Sequence, residues 1–123
     1  MIEIIVETIP LQIGSGATPL IFVVKVIGEI DATSAASAQQ KILQLSVPDC
    51  KIILDMSKVA YMSSAGLRML LSIYRQISGN KGKVVLLGLS DELAETMSVT
   101  GFLGYFTVEN SLDLALLVGI PSS

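Results

Sequence analysis

Histidine and tryptophan are absent from this sequence of 123 residues, and Cys50 is its only cysteine. Histidine is the usual general base at neutral pH and the commonest metal ligand, so a Ser-His-Asp hydrolase is excluded and a transition-metal site is disfavoured. A single cysteine cannot form an intramolecular disulfide. These absences argue against a hydrolase and against a metal site. We expect a binding module that is not an enzyme and that has no cofactor.

Basic residues and long apolar runs are also scarce. The chain has 8 Lys and Arg against 11 Asp and Glu, a net charge of -3, and no basic run that could neutralise a row of phosphates. The apolar run at residues 20–24 ends at Lys25, far short of the roughly 20 residues that span a membrane. Residues 1–7 lack the basic start of a secretory signal. We expect a soluble cytoplasmic protein that contacts neither nucleic acid nor membrane.

Aliphatic residues are abundant instead. Hydrophobic types make up 51% of the chain and aromatic types only 5%, so the core must be built from Ile, Leu, Val, Met and Ala. A chain of this length buries roughly two-thirds of the surface that it exposes when unfolded. We expect one domain over residues 1–123, with residues 119–123 frayed.

Hydrophobic periodicity predicts an α/β fold. Strands at residues 2–9 and 20–27 form an opening hairpin around a Gly- and Pro-containing turn at residues 14–19. Helices and short strands then alternate, an order that normally gives parallel strand pairs. The later strands are predicted at residues 51–54, 83–87 and 105–108, and the helices begin at Thr33 or Ser34, near Ser64, at Ser90, and at Asn110 or Ser111. The prediction is a mixed sheet, with the opening hairpin followed by parallel strands, flanked by about four helices.

The stretch Ser63-Ser64-Ala65-Gly66, at the predicted start of the second helix, is the best candidate for chemistry. A helix begins with unpaired backbone N–H groups and the positive end of its dipole. A serine there can cap the helix or, once phosphorylated, hold its phosphate near those donors. The elbow of serine hydrolases is excluded, because Met62 takes the place of the first glycine in Gly-x-Ser-x-Gly. The residues leave a capping serine and a modification site as alternatives.

Two acidic residues are predicted near this stretch. Asp31 and Asp55 each follow a predicted strand, and the carboxyl ends of parallel strands share one edge of a sheet with the helix starts. Either carboxylate could lie beside a phosphoacceptor or could cap a neighbouring loop.

The second helix is predicted to carry an apolar patch on its exposed side. Met69 and Ile73 fall on the face opposite the predicted core stripe, beside Ala65. Exposed methionine next to small residues suits the docking of a partner, and scattered exposed apolar residues are the alternative explanation. The residues that we assign to the core stripe are Leu67, Leu70, Leu71, Tyr74 and Ile77.

Residues 55–67 resemble the signature of the STAS domain family, the group that contains bacterial anti-sigma factor antagonists. Further matches are spread over most of the chain: Gly28-Glu29-Ile30-Asp31, Ser34-Ala35, Thr100-Gly101-Phe102-Leu103, Phe106, Val108 and residues 111–116. The resemblance implies a mixed sheet with helices on one side, and a phosphorylation switch at Ser64.

The resemblance also implies partners. An unmodified antagonist binds an anti-sigma factor, often itself a serine kinase, and thereby frees a sigma factor. Phosphorylation by the kinase breaks the complex, and a phosphatase restores it. We expect a monomer or weak dimer that binds its partner through Asp31, Thr33, Ser63, Ala65, Gly66, Met69 and Ile73.

One position departs from the family pattern. Many phosphoregulated members carry an acidic residue where this chain has Ser63, so Ser63 is an alternative acceptor. The departure also keeps a scaffold or sensor module without a phosphate cycle as an alternative function. A third possible function is that of a nucleotide-binding module, which would use the helix N-terminus as an anion site.

Overall fold

A computed structural model describes residues 2–10 and 20–117. The predicted turn at residues 14–19 and the predicted frayed end at residues 119–123 therefore lie outside the described residues. The strands are β1 (Ile2–Pro10), β2 (Leu20–Ile30), β3 (Lys51–Met62), β4 (Lys83–Leu87) and β5 (Thr107–Glu109). The helices are α1 (Ala35–Leu43), α2 (Ser64–Gly79), α3 (Asp91–Val99) and α4 (Leu112–Leu117), with a short 3₁₀ turn at Leu103–Tyr105.

The five strands form one sheet in the order β1-β2-β3-β4-β5. β1 and β2 are antiparallel, and each later pair of neighbouring strands is parallel. The predicted mixed sheet is therefore confirmed. Each crossover moves one strand further in the same direction, so the right-handed rule puts α1, α2 and α3 on one face of the sheet.

The two faces of the sheet carry separate hydrophobic clusters because successive strand residues point to opposite sides. On one face, Ile52 and Leu54 of β3 pack with residues of α1, α2 and α3. On the other, Ile53 packs with Val85 and with Ala115 of α4. The arrangement that the resemblance implied, with helices on one side of the sheet only, is therefore wrong. α4 follows the edge strand β5 and folds back over the second face.

β2 and β3 extend beyond their predicted ends. β2 continues to Ile30 and β3 to Met62, whereas the sequence predicted ends at residues 27 and 54. β3 holds one extra residue against β2 at each of two register shifts. These bulges turn Val59 and Met62 inward and break the alternation by which a strand is recognised.

The remaining predicted elements are close to the observed ones. β4 spans the predicted residues, and the hydroxyls of Ser90 and Ser111 accept hydrogen bonds from the first turns of α3 and α4. The strand predicted at residues 105–108 is wrong in its first half, because Tyr105 belongs to the 3₁₀ turn.

A buried lysine lies beneath α4. Lys51 is 5% exposed, and its Nζ donates a hydrogen bond of 2.7 Å to the carbonyl oxygen of Leu116. Burial, together with the charge of nearby Lys83, lowers the pKa of Lys51 to about 8. The unfolded chain therefore holds more protons than the folded one between pH 8 and the ordinary lysine value of 10.5.

We expect the free energy of unfolding to rise by up to about 3 kcal/mol as pH increases through this window, because one pKa unit corresponds to about 1.4 kcal/mol. Urea unfolding at a series of pH values measures it. Lys51→Met removes the titrating group and should flatten the profile, while other lysines titrate equally in both proteins. A profile with the same slope in Lys51→Met contradicts the assignment.

Candidate functional site

Ser63 joins the end of β3 to the start of α2 and caps the helix. Its N–H donates to the carbonyl oxygen of Ile30, at 2.8 Å, and its side chain accepts from the N–H of Gly66, at 3.5 Å. Its backbone is extended, as a capping residue requires. The serine at the helix start that the sequence predicted as a cap is thus Ser63, and Ser64 is the first residue of the helix.

Gly66 allows α2 to begin close against β2. A Cβ built on Gly66 would lie 2.4 Å from Cγ of Met62 and 2.9 Å from Cγ2 of Ile30. Both of these side chains are buried, so they have little freedom to retreat. The missing side chain therefore brings the end of β2, the end of β3 and the first turn of α2 into direct contact.

Ser64 is exposed. Its N–H and that of Ala65 are at the start of the helix, where intrahelical acceptors are lacking. In the described part of the chain, the hydroxyl of Ser64 has no hydrogen-bond partner, whereas that of Ser63 is engaged in the cap. The first turn contains no acidic residue. Ser64 therefore presents a free hydroxyl to solvent at the positive end of the α2 dipole.

The loop after β2 lies beside this helix start, because Ile30 pairs with Met62. The Asp31 carboxylate accepts hydrogen bonds from the Thr33 hydroxyl at 2.6 Å and from the N–H groups of Thr33, at 2.9 Å, and Ser34, at 3.2 Å. The bond from the Thr33 hydroxyl is the largest cause of a lowered pKa for Asp31. Asp31 thus stays ionised near neutral pH, in a loop held by its own hydrogen bonds.

Asp55 is not part of this site. The prediction that it follows a strand end is wrong, because β3 continues to Met62. Asp55 lies opposite Leu87, the last residue of β4, and accepts hydrogen bonds from the N–H and hydroxyl of Ser57, at 3.0 and 2.6 Å. It stabilises the first bulge of β3.

The predicted apolar patch on α2 is wrong. Met69 is 3% exposed and Ile73 is fully buried in the cluster between α2 and the sheet. Leu71 and Tyr74, assigned to the core by the sequence, are only half-buried. The helix is rotated by roughly a fifth of a turn from the predicted orientation, because Gly66 must face Ile30. Met69 and Ile73 are therefore unavailable to a partner.

The exposed face of α2 carries two arginines that sequence reasoning missed. Ser64, Arg68, Leu71 and Arg75 follow one another at intervals of four, three and four residues and share one side of the helix. Arg68 and Arg75 are exposed, and Leu71 lies half-buried between them. The signal in the sequence that could have revealed this positive face is that residues 64–79 contain no acidic residue.

In the described ranges, 2–10 and 20–117, no three or more Cys, Asp and Glu side chains are grouped so that they could hold a metal ion. Each helix of these ranges is too short or too polar to span a bilayer.

Comparison with characterised proteins gives relatives over most of the chain. The Bordetella bronchiseptica protein BtrV, described as an anti-sigma factor antagonist, is 30% identical over 89 residues, which cover 72% of this chain and 77% of BtrV. The anti-sigma-B factor antagonist of Listeria monocytogenes is 29% identical over 86 residues, covering 69% of this chain and 75% of that protein.

The fold is also found in solved structures. The anti-sigma factor antagonist SpoIIAA in its unphosphorylated form superposes with a TM-score of 0.64 at 18% identity, covering 94% of this chain and 100% of SpoIIAA. The phosphorylated form of the Bacillus protein superposes with a TM-score of 0.58, also at 18% identity, covering 89% of this chain and 96% of that one.

The family model of the STAS domain matches residues 15–115. This range contains the Asp31 loop, the whole of β3 and the first turn of α2, which are the parts that form the candidate site. The chain belongs to the STAS domain family.

Proposed function

We propose that this protein is an anti-sigma factor antagonist that binds an anti-sigma factor while Ser64 is unmodified and is released when Ser64 is phosphorylated. The anti-sigma factor, of the serine-kinase type, adds the phosphate, and a phosphatase removes it. Relatives described as anti-sigma factor antagonists support the first part. The observation that carries the second is the hydroxyl of Ser64 at the first position of α2, which is exposed and has no hydrogen-bond partner among the described residues.

Ser64 is favoured over Ser63 as the acceptor by the hydrogen bonds of the two residues. Ser63 is half-buried and its hydroxyl oxygen holds the cap, so a kinase would have to break the hydrogen bond from the N–H of Gly66 to reach it. Losing such a cap costs about 1 kcal/mol. Modification of Ser64 breaks no hydrogen bond in the described residues.

A phosphate on Ser64 acts by charge. It adds about -1.5 to -2 charges at the helix start, next to the loop of the ionised Asp31. An interface formed around a neutral hydroxyl would then have to desolvate a dianion, which is strongly unfavourable without a dedicated cationic partner. We expect the phosphate to switch binding without unfolding the domain. Ser63 and Ala65, together with Asp31 and Thr33, form the proposed partner-binding edge. The prediction that Gly66 also contacts the partner is wrong, because Gly66 is buried against Met62 and Ile30.

Phosphate mapping tests the acceptor. The protein is incubated with ATP and the kinase-type anti-sigma factor of its own host, and the modified residue is identified by tandem mass spectrometry. We expect modification at Ser64, loss of modification in Ser64→Ala, and continued modification in Ser63→Ala, the matched control. Modification of Ser63, or of neither serine, contradicts the proposal.

Calorimetry tests the switch. Ser64→Asp is expected to bind that anti-sigma factor at least about tenfold more weakly than Ser64→Ala, a difference of about 1.4 kcal/mol. If both variants bind with equal affinity and no phosphate is found, the alternative function is supported: a phosphorylation-independent STAS scaffold or sensor module.

A further inference from the structure

Charge is unevenly distributed over the elements of this acidic chain. α1 and α2 contain three of its 8 basic residues, Lys41, Arg68 and Arg75, and none of its 11 acidic residues. All three side chains are exposed. Within residues 2–10 and 20–117, neither arginine has an acidic partner in salt-bridge contact. The exposed face of α2 is therefore positive, while all of the acidic residues lie outside α1 and α2.

A shallow concave surface lies on either side of the contact between these two helices. Nε2 of Gln39 on α1 donates a hydrogen bond of 3.2 Å to Oγ of Ser72 on α2. On the α2 side of this contact, a concave surface of about 530 Å³ is lined by Arg68, Leu71, Ser72, Arg75 and Gln76. On the α1 side, one of about 450 Å³ is lined by Ala36, Gln39, Gln40, Leu43 and Gln44. The α2 surface, which we call the groove, thus has the half-buried Leu71 between Arg68 and Arg75, with the polar side chains of Ser72 and Gln76 beside them.

We propose that this groove docks an acidic amphipathic helix of the protein's binding partner. Arg68 and Arg75 are seven residues apart, about 10 Å along the helix axis, a distance matched by two carboxylates at the same spacing on a facing helix. Between them, Leu71 offers an apolar surface for a side chain of that helix. Guanidinium groups suit carboxylates because they bind them through two parallel hydrogen bonds.

The observations favour a polypeptide over a phosphate polymer or a lipid surface. Three cations are too few to supply the phosphate contacts on which nucleic-acid affinity depends. A lipid surface is attracted by clusters of more basic residues than these. The groove also combines the apolar Leu71 with the polar Ser72 and Gln76, which fit the apolar and polar positions of one helix.

The groove begins one turn from Ser64. Arg68 is four residues after Ser64 on the same face, so a phosphate there would compete for Arg68 and offset much of the positive charge of the groove. The identification of the docked helix with a segment of an anti-sigma factor rests on the proposed function. The groove and the acidic nature of its ligand do not rest on the proposed function.

The test uses the unmodified full chain and a synthetic helical peptide with two glutamates spaced as Arg68 and Arg75 are, flanking a leucine. The matched peptide has glutamine in place of both glutamates. Binding is followed by chemical-shift changes of backbone amides. We expect the glutamate peptide to shift resonances of α1 and α2 and to bind at least about tenfold more tightly than the glutamine peptide at low salt.

Charge reversal locates the contact. Arg68→Glu with Arg75→Glu should abolish the preference for the glutamate peptide. Lys25→Glu with Lys58→Glu makes the same change of charge at exposed positions on the other face of the sheet and should preserve it. Equal binding of the two peptides, or equal loss in both variants, overturns the proposal. So does binding to phosphatidylserine vesicles that depends on Arg68 and Arg75 when the glutamate peptide does not bind. No kinase is involved, so this outcome is independent of the phosphate mapping.

Discussion

Replacing Ile73 by alanine is expected to lower the free energy of unfolding by about 3–4 kcal/mol, the usual range for a large aliphatic residue removed from a core. Ile73 is fully buried among residues of α2 and the sheet, so the variant leaves a cavity that its neighbours cannot fill. Urea unfolding measures the loss. If Ile73 instead lay in an exposed patch, the loss would be below about 0.5 kcal/mol.

Leu71→Ala is the matched control for Ile73→Ala on the same helix. The sequence assigned Leu71 to the core, but it is half-buried at the surface, and its truncation should cost about 1 kcal/mol. A larger loss in Leu71→Ala than in Ile73→Ala would contradict the observed rotation of α2. It would also return Met69 and Ile73 to the list of partner-binding residues.

Gly66→Ala is expected to destabilise the protein by about 2 kcal/mol, although alanine is normally the better helix former by about 1 kcal/mol. The new Cβ would lie within 3 Å of both Met62 and Ile30 and 3.1 Å from the Ile30 carbonyl oxygen. That oxygen accepts the hydrogen bond from Ser63. Relief of the overlap must therefore move the start of α2 away from β2 and disturb the proposed partner-binding edge.

Gly79→Ala, at the last residue of α2, is the control for Gly66→Ala. A Cβ there meets nothing within 4 Å, so the substitution should raise stability by up to about 1 kcal/mol. Opposite signs in the two variants, measured by urea unfolding, are the expected result. Equal effects would show that the contact with Ile30 does not constrain the helix.

The elements that the sequence predicted well depend on local chemistry. β4 is a short run of branched residues between turns, and α3 begins at Asp91 because Ser90 caps it and because Asp91 and Glu92 suit the first turn of a helix. The candidate site was placed at the start of α2 for the same reason. Such signals can be recognised from neighbouring residues alone.

The features that the sequence missed depend on distant residues. The extension of β3 requires pairing with β2 across two bulges, where the inward residues no longer alternate. The cap fell to Ser63 because its N–H reaches the Ile30 carbonyl oxygen at the end of that pairing. Neither contact leaves a periodic signal in the residues themselves.

The sequence by itself determined that this is an α/β domain with a serine pair at a helix start, since capping, turn chemistry and hydrophobic period are local. Only the tertiary structure decided which serine is free and which face of α2 is exposed. The apolar residues of α2 surround most of its circumference, so two orientations fit the pattern almost equally. The close contact of Gly66 with Ile30 selects one of them, and that choice buries Ile73 while it turns Ser64, Arg68 and Arg75 toward solvent.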